Sequence, residues 1–449
     1  MIKQFLFVIC LDCIFAVVPL RSQSLDELWK SEGYGVLIEI HEDTMQVFET
    51  TSISCIPSWS ARRISGSQGE IVYQEGRRTI RLSSSTGMSE KHLHVDGNAS
   101  DIILYRISKR PKLCMKQVPN TPSENYAIFW QTFQENYPFF NLHHVDWDAE
   151  DKNLRSQVNE TTKPEELFFI FRKLIAPLQD AHTGFEAGDL RRYFDGFRPD
   201  PNHLERPQWQ QAVQIIKSRY VSDLTPYCRE HIQFGALSEA IGYLRMNGFY
   251  DYSDDGTYAG NLQALRKALD AIFQNASRFH GVVIDVRQNN GGDDSLAIEI
   301  ASRLTATKYL AYKKIARNNS ADHLHFTKAQ NVWVPPASVP GFTGGVVLLT
   351  GPDTVSAGET FTMALMGRKA HVTRIGLSTQ GVFSDTLNRH LPNGWRFRLP
   401  NEIYLTNSGR AFDGSGIPPD VRIPFFTHED LMNGRDAVLE KAIELLHSI

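Results

Sequence analysis

The chain has 449 residues, 41% of them apolar and 22% charged, with a net charge of −4. That length exceeds one ordinary core and predicts two or three domains. The charge balance and the absence of any basic block argue against a nucleic-acid partner.

The chain opens MIKQFLFVICLDCIFAVVPLRSQS. Lys3 precedes a short apolar run, Phe5 to Leu20, broken by Asp12. The run is short for a membrane span and its charge sits badly in one. Residues 1–23 are therefore expected to be a cleavable signal peptide rather than an uncleaved anchor. The mature protein is then secreted or otherwise extracytoplasmic, with no stable membrane span. Cys10 and Cys13 fall in that segment, leaving Cys55, Cys114 and Cys228, too few for a disulfide framework. One bridge, Cys55–Cys114, and three buried free thiols are both open readings.

Residues 24–118 predict a small β domain, with apolar or alternating runs YGVLIEI, MQVFETTSISC, GRRTIRLS and DIILYRIS separated by turn residues. Residues 119–190 predict a helical subdomain. Ser123 is expected to cap a helix carrying Tyr126, Phe129, Trp130 and Phe133, which stops near Tyr137-Pro138. A second helix, from Pro164 to about Leu178, puts Leu167, Phe168, Phe171, Leu174, Ile175 and Leu178 on one broad face. It runs into LQDAHTGF. The stretch 190–235 is mixed, with FRPDPNHLERP loop-like. From Ile241 strands and helices alternate: IGYLRM, NLQALRKALDAIFQNA, GVVIDVR, DSLAIEIASRL, GVVLLT, SAGETFTMALMG. Such alternation predicts an α/β core with a largely parallel sheet over residues 191–449.

Two turns in that core carry chemistry. After GVVIDVR comes Asn290-Gly291-Gly292, whose paired glycines expose backbone N–H groups. No GxGxxG or Walker motif is present, and Asp293 and Asp294 would repel a phosphate. An oxyanion site and a plain tight turn remain. After GVVLLT, Ser356 stands between a strand and a helix, followed by the small residues Ala357 and Gly358. It reads as a nucleophile on an elbow-like turn or as a helix N-cap. Glu359 is expected to complete a capping box. A serine nucleophile needs a base. His182, just past a helix end, is a candidate, and its other reading is a histidine interacting with the helix dipole. An orienting acid could be Asp413 or Asp420 in AFDGSGIPPDV. No cofactor is implied, and no metal, since HExxH is absent and the pairs His92/His94 and His323/His325 lack a third ligand.

Taken in order, LQDAHTGF, IGYLRM, GVVIDVRQNNGGDDS, VVLLTGPDTVSAGETF, RIGLSTQG and GSGIPPDV resemble the C-terminal processing peptidases. The likeness is to the branch related to the tricorn core and the interphotoreceptor retinoid-binding protein, and it covers roughly residues 120–425. The resemblance implies a crotonase-like (ββα) α/β peptidase core. It maps the nucleophile to Ser356, the oxyanion donors to Gly291, Gly292 and Ala357, the base to His182 and the acid to Asp413. Where the other branch places its lysine base, this chain has Val382. The acid is usually Glu, and the serine beside the histidine of the tricorn core is Ala181 here. No full PDZ domain fits between Thr183 and Ile241. The implied function is a secreted serine endopeptidase acting on polypeptides. A binding module for apolar ligands or peptides on the same fold, and a crotonase-like acyl-thioester enzyme, are the alternatives.

Overall fold

A computed structural model of the chain describes residues 27–448, apart from 68, 85–88, 340 and 371. The expected signal segment, with Cys10 and Cys13, lies outside the described residues.

Alternating apolar residues in the N-terminal strands, from Glu27–Ser31 to Ile102–Ile107, face inward and close the expected β domain into an eight-stranded barrel. Each strand is antiparallel to the next, and the first pairs with the last. Trp29, Ile38, Tyr73, Leu82 and Leu104 fill the interior. Closure removes free strand edges. Cys55 is bridged to Cys114, in the short turn that leaves the barrel, while Cys228 is free and buried. The bridge spans a separation of 59 residues. Loop-closure entropy values such a link at about 4 kcal/mol. Reduction, or Cys114→Ser, should therefore lower the thermal midpoint clearly. An unchanged midpoint would show that the bridge contributes nothing.

The helical region contains Pro122–Asn136, Trp147–Arg155 and Pro164–Ile175. The first is capped by Thr121, not Ser123: its side chain accepts from the Glu124 N–H at 3.3 Å, and Pro122 takes the first helical position. Pro138 ends it after Tyr137. Phe129 stacks on Phe171 of the third helix at 4.1 Å between centroids. The cluster is completed from far along the chain, by Phe185, Trp395 and Phe397. These come from a four-stranded sheet that pairs Gly184–Ala187 with Arg396–Pro400. A boundary at residue 190 therefore separates no two cores, because residues 386–400 return to cover the helices.

The core is a seven-stranded sheet. Its strands Ile241–Met246, Gly281–Asp285, Gly345–Thr350 and Val372–Gly376 are parallel neighbours. Both faces are covered, which explains their unbroken apolar runs. Leu244, Ile284 and Leu348 pack on one side with the crossover helices Tyr258–Ala276, Asp294–Ser302 and Ala357–Met366. Tyr243, Val283 and Val347 pack on the other with Ala437–His447. Residues 183–241 hold short strands and the helix Arg206–Ile215, not a PDZ domain. Among the described residues no helix is long and apolar enough to cross a membrane.

Candidate active site

Two strand-to-helix turns meet at the C-terminal ends of the parallel strands. In the first, the wholly buried Arg287 forks between Asp285 and Asp436, the cap of the helix Ala437–His447. It lies over the rings of Phe425 and Phe426. Breaking a buried, fully bonded pair of this kind costs about 3–5 kcal/mol, so the point where the loop leaves the sheet is fixed. Gln288–Asn289 then pairs in parallel with Asp353–Thr354 of the second turn. The two turns are joined before either reaches its helix. Asp294 joins the helices themselves, accepting from Thr360 Oγ1 at 2.7 Å and Tyr404 OH at 3.0 Å, and burial raises its pKa to about 7.

Gly291 and Gly292 have φ of 82° and 128°. A Cβ on Gly291 would lie 2.7 Å from Ser356 Cβ and 3.2 Å from the Ala357 nitrogen. One on Gly292 would lie 2.4 Å from the Phe249 carbonyl oxygen. The glycine loop therefore sits directly against the serine turn, closer than any side chain would permit. The Gly291 N–H is already used, donating to Asn289 Oδ1 at 3.0 Å. This corrects the expectation that either glycine could supply an oxyanion donor. Gly291 shapes the loop, while among the described residues the N–H groups of Gly292 and Ala357 meet no protein acceptor. Gly291→Ala should fold yet lose activity by about 10²-fold, the scale of a lost oxyanion donor. Steady-state kinetics with wild-type-like circular dichroism would check this, and full activity would show that the loop is not part of the site.

Ser356 has φ 54° and ψ −119°. A helix N-cap has extended backbone, and Ser356 does not, nor does its hydroxyl make a side-chain cap bond. Holding a serine in this region costs about 1–3 kcal/mol, and the surroundings hold it. The Val355 N–H donates to the Asn289 carbonyl at 2.9 Å, and the Glu359 and Thr360 N–H groups donate to the Ser356 carbonyl at 2.7 and 3.0 Å. Glu359 does more than the expected capping. Its carboxylate accepts from the N–H groups of Ser356 (3.3 Å), Gly381 (2.6 Å) and Val382 (2.8 Å). Burial raises its pKa to about 7, against the pull of these donors.

The same segment leads to His182. Val382 is tied to Ser356 through Glu359, and two residues later the Ser384 backbone bears on the His182 ring and favours its charged form. The His182 backbone N–H donates to Asp180 Oδ1 at 2.8 Å. Burial pushes the imidazole below its ordinary pKa, and the Asp180 charge opposes this. A neutral imidazole at neutral pH is the form a general base needs. Its Nδ1 is buried without a partner.

Asp413 is 7% exposed, and both its carboxylate oxygens are buried and unpartnered. Burial, reinforced by the charges of Glu359 and Asp180, holds its pKa well above the carboxylate range. The Asp180 charge acts on both Asp413 and His182, and the two are not hydrogen-bonded. Asp420 is excluded as the orienting acid by its own bonds, since it accepts from the Arg374 backbone N–H and pairs with that guanidinium. Val382, at the lysine position of the other branch, is buried beside Glu359. Sequence reasoning missed Tyr137 and Asp180. The Tyr137 hydroxyl donates to Asp180 Oδ2 at 2.9 Å, which fixes the acid whose other oxygen holds the His182 backbone. The only signal was Asp180 two residues before His182, a local Asx-turn spacing.

The loop predicted over FRPDPNHLERP is anchored to this site rather than free. Arg198 donates to the Gln380 carbonyl, His203 meets Asp353, and Trp209 Nε1 donates to Asp353 Oδ2 at 2.7 Å. Beside Asp413 opens a groove of about 840 Å³, with Tyr137, Phe140, Trp147 and Phe326 among its walls.

Known proteins resemble this chain in sequence and fold. Residues 240–423 match peptidase family S41, and residues 119–176 match the tricorn protease C1 domain. Tricorn protease of Thermoplasma acidophilum is 26% identical over 178 residues, which is 39% of this chain and only 15% of that protein. A candidate peptidase of known structure from Parabacteroides merdae is 26% identical, with a TM-score of 0.61, over 73% of this chain and 97% of its own. Mature CPAF, solved with lactacystin, is 10% identical with a TM-score of 0.53 over 73% of this chain and 97% of its own, a likeness of fold alone. The first family match spans both turns, glycine loop and serine elbow, and the second spans the helices that precede His182; over these residues the chain is similar to peptidase family S41.

Proposed function

We propose that the chain is a secreted serine endopeptidase that hydrolyses peptide bonds through an acyl-enzyme on Ser356. The observation that carries this reading is the packing of Gly291 against a strained Ser356, beside the N–H groups of Gly292 and Ala357, which meet no acceptor among the described residues. In this reading Ser356 Oγ bonds to the carbonyl carbon as its proton passes to His182. The oxyanion that forms is met by the N–H groups of Gly292 and Ala357. The C–N bond then breaks and His182 returns the proton to the leaving amine. Water repeats the sequence and frees Ser356. Asp413 is the candidate acid for orienting the imidazole once substrate is bound. The Cys55–Cys114 bridge supports an oxidising, extracytoplasmic setting.

A fluorophosphonate probe tests the reading. Labelling should occur once per chain and map to Ser356. A protein that stays unlabelled while folded would instead favour the binding-module reading, for which the aromatic groove beside Asp413 offers a place.

Asp413 has its own test. Because burial disfavours the charged form of this carboxyl, Asp413→Asn should leave the melting temperature nearly unchanged. Activity should fall by as much as about 10⁴-fold, as when an orienting acid is made an amide. Full activity in that variant would pass the role to Asp180.

A further inference from the structure

The strand Gly184–Ala187 begins two residues beyond His182 and borders a groove of about 970 Å³ between its sheet and the barrel. The lining is biased in charge. It holds six arginines and His390 against three carboxylates, in a chain whose net charge is −4. Pairing uses up every carboxylate without cancelling the excess. Arg396 meets Glu186 at 2.7 Å, Arg398 meets Asp195 at 2.7 Å, and Arg78 meets Glu75 at 3.5 Å. His390 is held by Glu49 from the barrel. Arg389 is buried and donates to the Tyr34 and Asn388 carbonyls, so Arg191 and Arg192 remain, both exposed. Arg192 lies across the rings of Phe168 and Phe169, at 5.9 and 5.7 Å, and neither arginine has an acidic partner among the described residues.

The groove reaches the strand that follows His182. Gly184 lines it, and the charge of Arg398, which also lines it, reaches the His182 ring. The strand Arg192–Asp195 is a free edge of its sheet. It ends at Gly196, whose N–H donates to the Thr183 carbonyl at 2.8 Å. An extended chain laid along that edge, in the manner of an added strand, is led to His182.

Resting on the peptidase reading, we propose that this groove binds acidic side chains of the polypeptide substrate flanking the cleaved bond, with Arg191 and Arg192 as the specificity-determining cations. The strand that leads from His182 into the groove favours the substrate itself over a separate anionic partner. Charges on an open groove discriminate by modest factors and are screened by salt.

The test is competition for fluorophosphonate labelling of Ser356 in the full-length protein, using Glu-rich and Gln-rich peptides of equal length. The Glu-rich peptide should slow labelling at about tenfold lower concentration, and added salt should narrow the difference. R191E/R192E should abolish the preference, and R191K/R192K should keep it, which separates charge from packing. Equal competition by the two peptides overturns the proposal. So does a short oligonucleotide competing as well as the Glu-rich peptide, since that marks a general anion site. Absence of labelling without competitor is a different failure, that of the peptidase reading itself.

Discussion

Ser356→Ala should reduce peptide hydrolysis by about 10⁴-fold or more, the loss expected when a covalent nucleophile is removed. The fold should survive, because the turn is held by backbone groups and Glu359 rather than by the hydroxyl. Ser356→Gly sharpens the test. Glycine adopts φ 54° without steric cost, so part of the roughly 1–3 kcal/mol of strain stored at this residue should be relieved. The glycine variant should be as inactive as the alanine variant, yet melt higher than it. That pairing of lost activity with regained stability marks a residue strained for chemistry. Substantial hydrolysis by either purified variant would remove Ser356 from the mechanism. Equal melting of the two would show that the turn stores no strain.

What could be read from the residues was mostly local. Ile241–Met246, Gly281–Asp285 and Gly345–Thr350 were legible because strands covered on both faces carry unbroken apolar runs. The helix from Pro164 was legible from its broad apolar face, and it ends as a 3₁₀ turn at Leu178. What depends on distant partners was not legible. Closure of the barrel pairs Glu27–Ser31 with Ile102–Ile107, and nothing local to either strand signals it. The return of Arg396–Pro400 to Gly184–Ala187 likewise joins segments some two hundred residues apart, and it moves the expected domain boundary. At the site, the glycine pair was visible but its division of labour was not. That division depends on the Asn289 side chain turning back to take the Gly291 N–H. Glu359 was read as a cap because its sequence signal is local, and its bonds to Gly381 and Val382 are not.

His182→Ala should cost nearly as much activity as Ser356→Ala, and the double variant should lose little more than either. Nucleophile and base act as one unit, so their losses do not add. Additive losses would mean that His182 is structural and another group takes the proton. The pH profile gives an independent reading. The base must be neutral to act, so kcat/KM should rise with pH through the pKa of His182 in the free enzyme. Burial lowers that pKa from its ordinary 6.5, so the acid limb should lie below 6.5. The same shift makes folding weaker in acid: a histidine buried neutral favours the native state above its unfolded pKa, and this contribution is lost as pH falls through the folded value. The Asp180 charge opposes that shift, and Tyr137 fixes Asp180 in place. Asp180→Asn can still accept the His182 backbone N–H through its amide oxygen, but the negative charge is gone. The acid limb should then move further down in pH, with activity retained on the plateau. A limb that stays where it was would show that the Asp180 charge does not reach the imidazole. A limb that moves upward would contradict the assignment of His182 as the titrating base, because removing a nearby negative charge cannot make a histidine easier to protonate.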